Sequence, residues 1–117
     1  MAEKQKIESQ LRKGILEYCI LGVLKNEKAY ASDIIRTLKK AELIVVEGTL
    51  YPLLTRMKNE GWLNYQWEES TQGPPRKYYY LTEEGQFYYN EIENYWNQLI
   101  TSVNLITNNK NSHEQNI

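Results

Sequence analysis

At Gly61 the apolar pattern of this chain changes period, and that change limits the folds open to it. Upstream, Leu50, Leu53, Leu54 and Met57 recur at i, i+3, i+4 and i+7, one face of a helix. Downstream, Trp62-Leu63-Asn64-Tyr65-Gln66-Trp67-Glu68 alternates apolar and polar, as a half-buried strand does. The helix's other face carries Thr49, Tyr51, Pro52, Thr55, Arg56, Lys58 and Asn59, with no acid until Glu60. Gly48 and Thr49 are start signals and Gly61 is a stop signal. Pro52 fits near a first turn, where its missing N–H costs little. The spacing therefore predicts a helix that begins between Glu47 and Thr49. An ordinary amphipathic surface helix would show the same stripe, so its neighbours decide what it is.

After the strand comes a turn-rich run, Ser70-Thr71-Gln72-Gly73-Pro74-Pro75, and then a second aromatic strand, Arg76-Lys77-Tyr78-Tyr79-Tyr80-Leu81. The two strands make a hairpin. A lone hairpin is marginal in water, so this one must pack on helices. Tyr78, Tyr79 and Tyr80 read as that packing rather than as base-stacking residues. Upstream, residues 8–26 read as a first helix with a broad apolar stripe through Leu11, Ile15, Tyr18, Cys19, Leu21 and Leu24. Residues 29–41 read as a second helix, with Ser32 and Asp33 as cap candidates and Ile34, Ile35 and Leu38 facing inward. Leu43-Ile44-Val45-Val46 reads as a buried loop or a brief strand. Three short helices followed by a hairpin form the pattern of a winged helix-turn-helix, whose third helix meets the DNA major groove. Arg76 and Lys77, beside the hairpin tip, suit phosphate contact.

The last element opens at Thr82, with Glu83 and Glu84 favouring a helix start. From there Ile92, Trp96, Leu99, Val103 and Ile106 recur at spacings of 4, 3, 4 and 3, a heptad-like seam. A helix to about Asn108 overhangs a domain of this size, and its seam calls for the same helix of a second subunit. The expected architecture is mainly α with a small antiparallel β-hairpin. Residues 1–81 form a winged helix-turn-helix DNA-binding domain, 82–108 a long dimerisation helix and 109–117 a flexible polar tail. The predicted dimer interface is Ile92, Trp96, Leu99, Val103 and Ile106.

Charge supports that division. Residues 1–81 hold 13 lysines and arginines against 10 acids, a net of +3, whereas 82–117 hold 1 against 5, a net of −4. A mildly basic front suits an anionic partner. Enzymatic chemistry finds no support. Cys19 is the one cysteine and His113 the one histidine, far apart in the sequence, so neither a structural zinc site nor a disulfide framework can be built from them. Cys19 sits in an apolar run and reads as a small buried hydrophobe. Glu68-Glu69 and Glu83-Glu84 read as a solvated hairpin edge and a helix start. No catalytic group, metal site or cofactor is expected. The charged N-terminus lacks a signal-peptide core, and no 18-residue apolar run exists to span a membrane, so a cytoplasmic protein is expected.

Four runs in order carry a resemblance: Glu47-Gly48-Thr49-Leu50-Tyr51-Pro52-Leu53-Leu54, Asn59-Glu60-Gly61-Trp62-Leu63, Gln72-Gly73-Pro74-Pro75-Arg76-Lys77-Tyr78-Tyr79 and Leu81-Thr82-Glu83-Glu84-Gly85. Together they resemble the PadR family of bacterial transcriptional regulators, over roughly residues 11–85 plus one long C-terminal helix. That size is similar to the short-tailed subfamily, which includes multidrug-sensing repressors. The resemblance implies a homodimeric repressor on an inverted-repeat DNA operator, released in some members by a small aromatic or lipophilic ligand. It places Thr49, Tyr51, Pro52 and Arg56 on the DNA-reading helix, and Gly73, Arg76 and Lys77 on the wing; Thr55, on the same outward helix face, joins them as a DNA-binding candidate. It also makes Trp96 a ligand-contact candidate across the dimer axis; filling the dimer core is the other role open to that residue. Lys4, Lys6, Arg12 and Lys13 are further phosphate candidates. Two positions depart from the family pattern: Val46-Glu47 stand where Ser-Pro is common, and Pro74-Pro75 where the wing tip often has Gly and Arg. The rival reading is a winged helix used as a protein-interaction module without sequence-specific DNA binding.

Overall fold

The computed structural model describes residues 2–108. Five helices and one two-stranded sheet follow in order: α1 (Ala2–Arg12), α2 (Ile15–Asn26), α3 (Ala31–Lys40), α4 (Glu47–Asn59), β1 (Leu63–Glu68), β2 (Arg76–Leu81) and α5 (Glu83–Thr107). The mainly α architecture with an antiparallel hairpin is as expected. The expected tail, with His113, lies outside the described residues.

Residues 8–26 are not one helix. The chain breaks at Gly14, whose φ of 86° lies in the left-handed region that glycine enters without a Cβ clash. Residues before the break belong to α1, an exposed helix. The second helix also starts later than its apolar spacing suggested. Ala29 instead pairs with Tyr79 through two backbone hydrogen bonds, Ala29 N–H to Tyr79 C=O at 3.0 Å and Tyr79 N–H to Ala29 C=O at 2.8 Å. That one-residue bridge makes β2 the middle of a minimal three-strand array. Asp33 then accepts from the Tyr30 N–H at 3.0 Å, satisfying a donor at the start of α3. Residues 43–46 form a loop that buries Val45 and exposes Ile44 and Val46.

α4 begins at Glu47, inside the predicted window, but Val46 holds the cap position and offers no side-chain acceptor. Pro52 is therefore not in the first turn. It is the sixth helical residue, and it has no N–H to give the Gly48 carbonyl four residues back. Gly61 ends the helix at φ 87°. Trp62 N–H reaches the Met57 carbonyl and Gly61 N–H the Lys58 carbonyl, the paired bonds of a Schellman stop.

The hairpin pairs Leu63 with Leu81 at its base and Glu68 with Arg76 at its far end. Leu63 and Tyr79 drop into a core made by Ile20, Leu21 and Leu24 of α2, Ile34 and Leu38 of α3, and Leu50, Leu54 and Met57 of α4. Seven of the described side chains, among them Leu50, Leu54 and Met57, are fully buried. Each such side chain contributes about 1.5–3 kcal/mol by leaving water. Thr82 then joins hairpin to helix. Its hydroxyl donates to the Gly61 carbonyl at 2.6 Å and accepts from the Gly85 N–H at 2.9 Å, capping α5. The first half of α5 packs on α2 through Tyr89 and Ile92. The second half stands clear. The radius of gyration is 17.9 Å, against about 13 Å for a compact domain of this length.

Candidate nucleic-acid interface

α4 is presented edge-on to solvent. With Leu50, Leu54 and Met57 inside, the helical period aims Pro52, Thr55 and Asn59 straight outward. Thr49 and Arg56 flank that line toward α2. Tyr51 and Lys58 flank it toward the hairpin. All seven are exposed. Thr49, Tyr51, Pro52, Thr55 and Arg56, predicted from sequence, thus share one convex strip. Lys58 and Asn59, read from the sequence as lying on the same face but not among the DNA-contact candidates, extend it.

The hairpin supplies a second surface. Tyr51 and Glu47 of α4, Ser32 of α3 with Tyr30 just before it, and Trp67, Arg76 and Lys77 of the hairpin line a cleft of about 390 Å³. Arg76 is not loose at a tip. Its guanidinium lies 3.9 Å from the Tyr30 ring centroid and donates to Ser32 Oγ at 2.9 Å. Lys77 Nζ lies 4.5 Å from the Tyr65 ring, and Lys58 Nζ approaches that ring from α4 at 5.7 Å. Aromatic faces thus hold three cations along the seam between hairpin and helices. Gly73 lies exposed in the β1–β2 loop, where an added Cβ would meet nothing within 4 Å. Ser32, Tyr30 and Trp67 were missed as site residues. A serine at a helix start was the one available signal, and it read as a cap.

Arg56 is differently placed. Its Nε and Nη2 each lie 2.7 Å from an oxygen of Glu17 on α2, a bidentate pair, and its Nη1 lies 3.7 Å from Glu60. The bonds to Glu17 hold the guanidinium's pKa above its ordinary value. On α3, burial alone would raise the Asp33 carboxyl, but the Tyr30 N–H and the Arg36 guanidinium outweigh it and hold the group below the usual range. Arg12 of α1 donates to the Ile44 carbonyl at 3.0 Å and ties α1 to the loop before α4.

The predicted seam of α5 divides in two. Ile92 and Trp96 are half-buried against their own chain, with Trp96 6.1 Å from Tyr18 between ring centroids. Leu99, Val103 and Ile106 are exposed, rising to 71% at Ile106. A groove of about 370 Å³, lined by Leu11, Ile15, Tyr18, Ile92, Trp96 and Leu99, opens beside Trp96. That volume falls in the range of small-molecule sites. Among the described residues no group of three or more His, Cys, Asp or Glu side chains could hold a metal ion. No described helix is long and apolar enough to cross a membrane.

A helix-turn-helix of α3 and α4, flanked by a β1–β2 wing and followed by one long helix, defines a winged helix-turn-helix protein. Comparison with known proteins narrows the class. The chain belongs to the PadR-like family of transcriptional regulators, whose sequence profile matches residues 20–91. It is similar to a PadR-like transcription factor from Bacteroides fragilis, with 61% identity, a TM-score of 0.76 and coverage of 86% of this chain and 98% of that one. A PadR family regulator from Eggerthella lenta is 32% identical, with a TM-score of 0.81 over 92% of this chain and 96% of that one. A PadR-like regulator from Bacillus cereus is 35% identical, with a TM-score of 0.73 over 84% and 96%. The comparison with curated proteins returned no match.

Proposed function

We propose that this chain is a dimeric, cytoplasmic DNA-binding repressor that reads an inverted-repeat operator. The observation that carries the reading is the strip Thr49-Tyr51-Pro52-Thr55, turned outward on a helix whose opposite face is fully buried, with Arg76 and Lys77 beside it. Each subunit lays α4 into a major groove. Tyr51 and Thr49 meet sugar, phosphate or thymine methyls, Arg56 meets phosphate or guanine, and Arg76 and Lys77 hold the wing on adjacent phosphates. The exposed Leu99, Val103 and Ile106 join two subunits along α5, which places the two reading helices about one DNA turn apart. A flat aromatic or lipophilic effector in the groove at Trp96 would loosen the complex. Residues 1–81 are then the DNA-binding part and 82–108 the dimerisation helix.

The test is binding of the purified protein to a labelled fragment of its own upstream region, at two salt concentrations, with unrelated DNA as control. Preferential, salt-sensitive binding is expected. Arg76→Ala should weaken binding to all sequences alike and lower the salt slope by about one phosphate contact. Binding without preference for the upstream fragment, together with an unchanged slope in Arg76→Ala, would favour a winged helix that serves protein contact instead.

A further inference from the structure

Arg56 is the one cation on the outward strip of α4 that is already fully engaged by a carboxylate. Its two bonds to Glu17 cross from α4 to α2, between residues 39 apart in sequence. The two partners differ in setting. The Glu17 side chain is 16% exposed and held by its helix, whereas that of Arg56 is 52% exposed. Arg56 can therefore swing outward while Glu17 stays where it is. The geometry that joins guanidinium to carboxylate here is the geometry that joins it to a phosphate: a planar fork on two oxygens.

We propose that Glu17 is a gate on the reading helix: it holds Arg56 in the free protein and yields it to a backbone phosphate when DNA arrives. The inference rests on the DNA-binding reading above, and Glu17 acts only through Arg56, as a positioning residue. Its chemistry is exchange of one anion for another on the same fork. The exchange lowers apparent affinity in proportion to the fraction of protein with Arg56 still held. An exposed bidentate pair is worth a factor of about two to five in that fraction. The gate also sharpens discrimination. Arg56 gains a phosphate only where DNA sits deep enough to replace both carboxylate bonds, so a duplex resting loosely on the wing does not shift it away from Glu17.

The experiment is a double-mutant cycle on the upstream fragment, with full-length wild type, Glu17→Gln, Arg56→Ala and the double variant. Thermal melting of each confirms that all are folded. Glu17→Gln should bind about two- to fivefold tighter than wild type and associate faster. Arg56→Ala should bind weaker, and adding Glu17→Gln to it should change nothing further. Weaker binding by Glu17→Gln would overturn the gate, because Glu17 would then be fixing Arg56 in its reading position. An equal gain with and without Arg56 would also overturn it, because Glu17 would then merely repel DNA. If wild type shows no preference for the fragment, the DNA-binding reading itself fails; wild-type preference without a gain in Glu17→Gln sinks the gate alone.

Discussion

Trp62 and Tyr88 lie face to face, their ring centroids 3.8 Å apart and their planes 11° from parallel. Trp62 follows the Schellman stop of α4, and Tyr88 sits in the second turn of α5. The stack therefore fastens the long helix to the end of α4. Replacing Tyr88 with Ala removes the stacked ring and leaves one indole face without a partner. A loss of about 2 kcal/mol is expected, lowering the melting temperature by about 10 °C. Thermal unfolding followed by circular dichroism checks it.

Gly85 lies directly beneath that junction. A Cβ at this position would stand 1.7 Å from the Trp62 carbonyl oxygen and 2.9 Å from Leu81 Cδ1. The nearest atom is backbone and cannot step aside. Gly85→Ala should cost more than about 3 kcal/mol, whereas Ala for Gly in an unobstructed helix stabilises by about 0.5–1 kcal/mol. Gly48, where an added Cβ meets nothing within 4 Å, serves as the matched control on α4. Comparable melting of the two variants would show that α5 can pull away from Trp62.

Glu42 follows α3 with φ of 64°, a left-handed conformation that costs a residue with a Cβ about 1 kcal/mol. The bonds Leu43 N–H to Leu38 C=O and Glu42 N–H to Lys39 C=O make this a second Schellman stop, built without glycine. Glu42→Gly should therefore stabilise the protein by about 0.5–1 kcal/mol, seen as a rise of a few degrees in the melting temperature.

Val103 is 47% exposed in the free half of α5, between Leu99 and Ile106. A charge placed there would be buried in the proposed dimer without a partner. Val103→Glu should weaken association by about 3 kcal/mol or more, over a hundredfold in the dissociation constant. Sedimentation should show a dimer for wild type and a monomer for the variant, with helix content unchanged.

Local signals carried far in this chain. The bounds of α4 were legible because four apolar residues at helical spacing end on a glycine. The hairpin was legible because its period of two survives between turn residues. The same spacing argument misread residues 8–26, since Leu11, Ile15 and Tyr18 continue a helical stripe across Gly14 and only backbone torsion separates them. The Ala29–Tyr79 bridge is one residue long and leaves no periodicity. Arg56 shows the limit most clearly. Its place on the outward strip could be read from the helical wheel, but its hold on Glu17, 39 residues away, could not. The seam of α5 was legible as apolar, yet Trp96, its second residue, packs on Tyr18 of its own chain.

The clear half of α5 has a mechanical consequence. The helix is about 37 Å long, so a tilt of about 5° at one end carries the other by about 3 Å, close to the rise of one base pair. Because the Trp62–Tyr88 stack clamps the near end to α4, two subunits joined along α5 would turn a small change in crossing angle into a shift of operator register.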